Sequence, residues 1–189
     1  GNLATHEINS NRLTYKNVYP GISEQIEIIK GGLESSTIIE EKPSYIDELS
    51  PNEFVTFSHF IPLKKNWIIK DIEGNHINQN LRIQQFSIQL DGEDQTIYFG
   101  KITVFDHSLT KKEALQLFPN LPADKITKEQ ENLFKNNVLN LPYQLVFTNG
   151  GIEVLTEIPV SWLQNPSRFY PVTIDPTVTI TYVDNYQTL

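Results

Sequence analysis

Apolar residues along this chain recur mostly at every second position, the period of a strand with one face buried. Leu13 to Tyr19 is a short β-favouring run, closed by a Tyr19-Pro20-Gly21-Ile22 turn with Pro and Gly in favoured places. Gln25 to Ile29 alternates Ile26 and Ile28 with Gln25 and Glu27, and Gly31-Gly32 ends it. Ser36 to Glu40 reads as a further strand, and Phe54 to Ile61 alternates again. Trp67 to Ile72 leads into Glu73-Gly74-Asn75, with Ile77 following, which predicts a hairpin. Leu81, Ile83, Phe86, Ile88 and Leu90 then run into the acidic turn Asp91-Gly92-Glu93-Asp94. Ile97, Phe99, Ile102, Val104 and Phe105 return from it, with a bulge or break expected at Gly100.

The period changes between residues 106 and 140. Thr110 stands three residues before Glu113, as in a capping box, and Ala114, Leu115, Leu117 and Phe118 supply an apolar side up to Pro119. Thr127 and Gln130 repeat that logic for a second helix reaching Asn137. Strands then resume: Tyr143 to Phe147 and Ile152 to Ile158 flank the hairpin turn Thr148-Asn149-Gly150-Gly151. Val172 to Ile174 and Thr177 to Val183 are the last strand candidates, separated by Asp175-Pro176. Many short strands joined by turns predict a mainly β fold, an antiparallel β-sandwich-like domain with a short helical insertion at about 106–140. One module over 1–176 is expected, with 177–189 as a final strand or the start of a following domain or linker.

Composition narrows the function classes. With 189 residues and 39% hydrophobic residues, the chain can bury a real core. A net charge of −8 argues against nucleic acid and anionic lipid as partners. There is no cysteine, so disulfides, thiolate nucleophiles and Cys-ligated zinc are excluded. No apolar stretch is long enough for a membrane-spanning helix, so membrane insertion is not expected. The chain contains no Met and starts Gly-Asn-Leu, which reads as a tag remnant ahead of a processed or excised fragment.

Candidate chemistry is sparse. His6, His59, His76 and His107 form no H-x-H or H-E-x-x-H pair. Asp91, Glu93 and Asp94 cluster in one turn and are the candidate Ca²⁺ ligands, but they lack the D-x-[DN]-x-[DN]-G loop pattern and a solvated hairpin turn is the favoured reading. Asp71, Glu73 and Asn75 form a weaker oxygen set of the same kind. No other cofactor is expected. There is no G-x-S-x-G elbow and no phosphate-cradling glycine loop, so no catalytic residue is assigned. Trp67 and Trp162 are the candidate ligand-binding residues, as sugar-stacking rings on a sandwich face, with core packing as the alternative.

Two segments carry a resemblance. Arg12-Leu13-Thr14-Tyr15-Lys16-Asn17-Val18-Tyr19-Pro20-Gly21-Ile22 stands near the start, and Ile158-Pro159-Val160-Ser161-Trp162-Leu163-Gln164-Asn165-Pro166-Ser167-Arg168-Phe169-Tyr170-Pro171-Val172-Thr173-Ile174-Asp175-Pro176-Thr177-Val178 near the end. Together they resemble the ends of a β-rich domain of large bacterial surface and secreted proteins, the Rhs/YD-repeat and wall-associated types. Ile102 to Asp106 sits where those domains often carry a strand pair, and Ser23 stands where they often have Asp. The resemblance implies an exported, extracellular or cell-surface, non-catalytic structural or interaction module. Its implied partners are other modules of the same polypeptide and a cell-surface glycan or protein. A carbohydrate-binding module is the alternative, and a glycoside hydrolase or other hydrolase a further one.

Overall fold

The computed structural model describes residues 5–29, 32–90, 95–107 and 136–182. The chain is mostly β, in two antiparallel sheets arranged as a sandwich. Its strands are β1 (Thr5–Asn9), β2 (Arg12–Tyr19), β3 (Ile22–Ile29), β4 (Gly32–Ile39), β5 (Phe54–Pro62), β6 (Trp67–Lys70) and β7 (Leu81–Ile83). They continue with β8 (Phe86–Leu90), β9 (Gln95–Asp106), β10 (Val138–Leu141), β11 (Tyr143–Thr148), β12 (Gly151–Pro159) and β13 (Val172–Tyr182). A 3-10 turn spans Ser44–Glu48, and a single-turn helix, α1, spans Val160–Leu163.

The larger sheet runs β1-β2-β3-β4-β13-β9-β8-β6, with β10 also pairing β9. The smaller runs β5-β12-β11-β7. Alternation along the strands decides which residues turn inward. Ile102, Val104, Val172 and Ile174 of the larger sheet face Leu145, Ile152, Val154 and Ile158 of the smaller one, all buried. Phe86 stacks on Phe99 at 4.3 Å between centroids, and Tyr143 meets both rings edge-on from across the sandwich.

Three expectations need correction. The run Leu81 to Leu90 is two strands, because β7 joins the smaller sheet and β8 the larger. The crossing lies at Gln84-Gln85, where the inward positions change from 81 and 83 to 86, 88 and 90. The strand candidates on either side of Asp175-Pro176 are a single strand, β13. Proline sits inside it because the register shifts there. The non-strand stretch expected at 106–140 is narrower, since Asp106 ends β9 and Val138–Leu141 pairs with Ile102–Phe105. Val138 and Leu141 are buried there, and that burial outweighs helix continuation. Residues 108–135, where most of the two expected helices fall, lie outside the described residues. Only Asn136 and Asn137 of the second are described, in helical conformation.

The bulge expected at Gly100 is present. Gly100 and Lys101 stand against Thr177 alone, between the pairs Phe99–Val178 and Ile102–Pro176. A Cβ on Gly100 would meet the Thr177 Cβ at 3.0 Å, so glycine lets the two strands close up.

Candidate functional site

The closing motif forms one pole of the sandwich. Asn165 organises its loop by accepting from the Ser167 and Arg168 backbone N–H groups. That turn sends Arg168 inward, where Nη1 donates to Asp106 Oδ2 at 2.8 Å. Both side chains are almost completely buried. Arg168 also donates from Nε to the Trp162 carbonyl and from Nη1 to Asn137. Its guanidinium carbon lies 3.4 Å from the centroid of the Trp162 ring. Burial pulls the Arg168 pKa down, and the hydrogen bond and charge of Asp106 push it back up. Nearby, Gln164 caps α1 and donates to the Ile46 and Leu49 carbonyls, stapling the 3-10 turn to the pole. The Tyr170 hydroxyl donates to the Leu163 carbonyl.

Burial pushes the Tyr170 phenol up to about 12, against the opposing pull of Arg168. An unfolded tyrosine titrates near pH 10. The native chain therefore holds this proton more tightly, and the associated stability is complete below pH 10 and lost as pH rises towards 12. Denaturation monitored by circular dichroism should show stability falling across that window. A flat profile would mean that the phenol is not desolvated.

The candidate sugar-stacking rings are not assembled into a platform. Trp67 lies on β6, half-buried against the core, with the Lys64 ammonium 5.5 Å from its ring centroid. Trp162 lies on α1, half-buried, with Arg168 on one ring face. No ring contact joins them among the described residues. The candidate Ca²⁺ ligands Asp91, Glu93 and Asp94 fall outside the described residues. In the second oxygen set, both carboxylate oxygens of Asp71 accept from Asn75, through its backbone N–H and its side-chain amide. Those bonds hold the Asp71 carboxyl below its usual range. Among the described residues, no three His, Asp or Glu groups stand together as metal ligands would. No helix among them is long and apolar enough to cross a membrane.

Among the hollows of the described residues, two that no sequence pattern announced bear on ligand binding. A groove of about 540 Å³ runs along β5, an edge strand of the smaller sheet. Tyr19 and Pro20 of the opening turn line it with Tyr45, Glu24, Ser58 and His59. Tyr19 is 66% exposed and Tyr45 44%, so both rings are available to a ligand. The signal for Tyr19 was the Tyr-Pro-Gly turn itself, whereas Tyr45 sits in a 3-10 turn that no periodicity announces. The other hollow lies between the sheets and is lined by Tyr143. Compared with known proteins, the chain matches no protein-family model, no curated protein and no solved structure.

Proposed function

We propose that this chain is a non-catalytic structural and interaction module of a larger exported bacterial surface protein. One observation carries the reading: the distinctive residues of the closing motif are consumed in holding the fold together. At the pole Arg168 bonds Asp106, Asn137 and the Trp162 carbonyl and stacks on the Trp162 ring, and Tyr170 bonds the Leu163 carbonyl. A buried cation already paired with a carboxylate and stacked on indole is a structural brace. The partners are neighbouring modules of the same polypeptide. The test joins this chain to the segments that flank it in its gene. The joined protein should unfold several degrees higher than the isolated chain, with hydrogen exchange slowed along β5. Turnover of glycoside or ester substrates, lost in Glu24→Gln or His59→Ala, would overturn the reading.

A carbohydrate-binding role is the second reading, favoured by the groove along β5. Two exposed tyrosines, a carboxylate, a hydroxyl and an imidazole line it, the mixture that stacks on a sugar face and bonds its hydroxyls. A glycan-array hit should weaken about tenfold in Tyr19→Ala and in Tyr45→Ala, roughly 1.4 kcal/mol each. Equal loss in Trp67→Ala alone would place the glycan elsewhere.

A further inference from the structure

The inter-sheet hollow lies where the larger sheet forks. Ladder pairing between β4 and β13 stops at Thr37–Ile174, and β13 continues beside β9 to Tyr182. Beyond the fork, Thr37 of β4 and Ile174, Pro176 and Val178 of β13 form one wall. Val154 of β12 and His59 of β5 belong to the opposite wall, and the hollow, open to solvent on one side, has a volume of about 190 Å³. The lining is mainly apolar.

Ser35, Thr37, His59 and Thr156 add polar groups, and Tyr143 is the most deeply buried of the polar side chains. It is 2% exposed, and its hydroxyl has no hydrogen-bond partner among the described residues. Phe86 and Phe99 hold its ring edge-on, so the hydroxyl cannot swing away without breaking both contacts. Burial and the charge of Asp175 raise the phenol's pKa, so the group stays a neutral donor and acceptor. Tyr143 of the smaller sheet and Ile174 and Pro176 of the larger line the same hollow, so the tyrosine reaches towards the wall opposite. An unbonded hydroxyl in such a place is costly, and a bonded ligand would recover that cost.

We infer that this hollow is a binding site for a small neutral molecule, about one aromatic ring in size, whose single hydroxyl or carbonyl bonds Tyr143. The size follows from the volume, because an apolar cavity of about 150 Å³ already accepts benzene. Neutrality follows from the mainly apolar lining, in which a charged group would lose its hydration. This site shares Phe57 and His59 with the groove along β5 but is centred on Tyr143, and it does not depend on the module reading.

Phenol is the probe, with toluene and benzoate as controls. In the full chain, phenol should produce saturable shifts in the methyl signals of Val154, Ile174 and Val178. Tyr143→Phe keeps the ring and its packing, so it should fold with an unchanged or higher unfolding temperature. Phenol binding to it should weaken about fivefold to tenfold, while toluene binds both proteins alike. Val178→Phe, which fills the hollow from its rim, should abolish the shifts. Benzoate should bind at least tenfold more weakly than phenol. The inference is overturned if phenol gives no saturable shift, if Tyr143→Phe binds it equally well, or if benzoate matches it. A water on the Tyr143 hydroxyl that phenol fails to displace would also overturn it.

Discussion

Replacing Arg168 by alanine is expected to destabilise the fold by about 3–5 kcal/mol, the usual cost of stranding one member of a buried ion pair. For a domain of this size that corresponds to a drop of roughly 10 °C in unfolding temperature. The substitution leaves Asp106 fully buried without the 2.8 Å bond and the positive charge of Arg168. It also uncovers one face of Trp162 and removes the side-chain donor from the Trp162 carbonyl. Arg168→Lys should rescue only part of the loss, because one ammonium cannot span the bonds to Asp106, Asn137 and Trp162. The informative control is the double change Asp106→Leu with Arg168→Met. Removing both charges relieves their desolvation, so the double variant should lie closer to wild type than Arg168→Ala does. Urea denaturation of the three variants measures this directly. A loss under 1 kcal/mol for Arg168→Ala would show that water reaches the pair.

Gly151→Val is expected to cost about 3 kcal/mol, at the upper end for overpacking. Gly151 begins β12, opposite Pro62 of β5 and Thr148 of β11. A Cβ there would strike the Ile61 carbonyl oxygen and come within 2.7 Å of the Phe60 ring. The carbonyl belongs to the paired strand and cannot move without loosening the start of the β5–β12 ladder. The loss should therefore appear as faster hydrogen exchange at Phe60 to Leu63, together with a lower unfolding temperature. A change at Gly150, whose φ is +94° but whose Cβ would meet nothing within 4 Å, should perturb the turn without that signature. Equal exchange at Phe60 to Leu63 in both variants would refute the steric explanation.

Much of the sandwich was legible because alternation reports burial directly. Even the two irregularities left a trace as changes of parity. Inward positions shift from Leu81 and Ile83 to Phe86 and Ile88 where the chain changes sheet. They shift again from Phe99 to Ile102 at the Gly100 bulge. The second was read correctly because glycine marked it, whereas Gln84-Gln85 offers no such punctuation. β1 escaped notice because every residue in it is exposed, and an unburied strand has no amphipathic period. Asp175-Pro176 looked like an interruption because proline cannot donate to a ladder, yet a bulge accommodates it.

The candidate sites were harder to read, since they depend on which residues meet across the two sheets. Trp67 seemed available because Lys64, Lys65 and Asn66 precede it, but its ring packs against the core and the Lys64 ammonium lies over it. Asp106 and Arg168 are separated by sixty-two positions, and no local pattern links them. Tyr143 reads as an ordinary strand aromatic. Its unbonded hydroxyl emerges only from packing against Phe86 and Phe99.

The placement of β13 has a consequence for the order of synthesis. The last described strand occupies an interior position of the larger sheet, between β4 and β9. Until it has left the ribosome, the facing edges of β4 and β9 have no partner there, and neither half of that sheet is complete. The chain from β1 through β13 must therefore emerge before the sandwich can close, a long-range pairing that slows folding and prolongs exposure of open edges. A nascent chain arrested before Val172 should be readily digested by protease, and one arrested well beyond Tyr182 should resist.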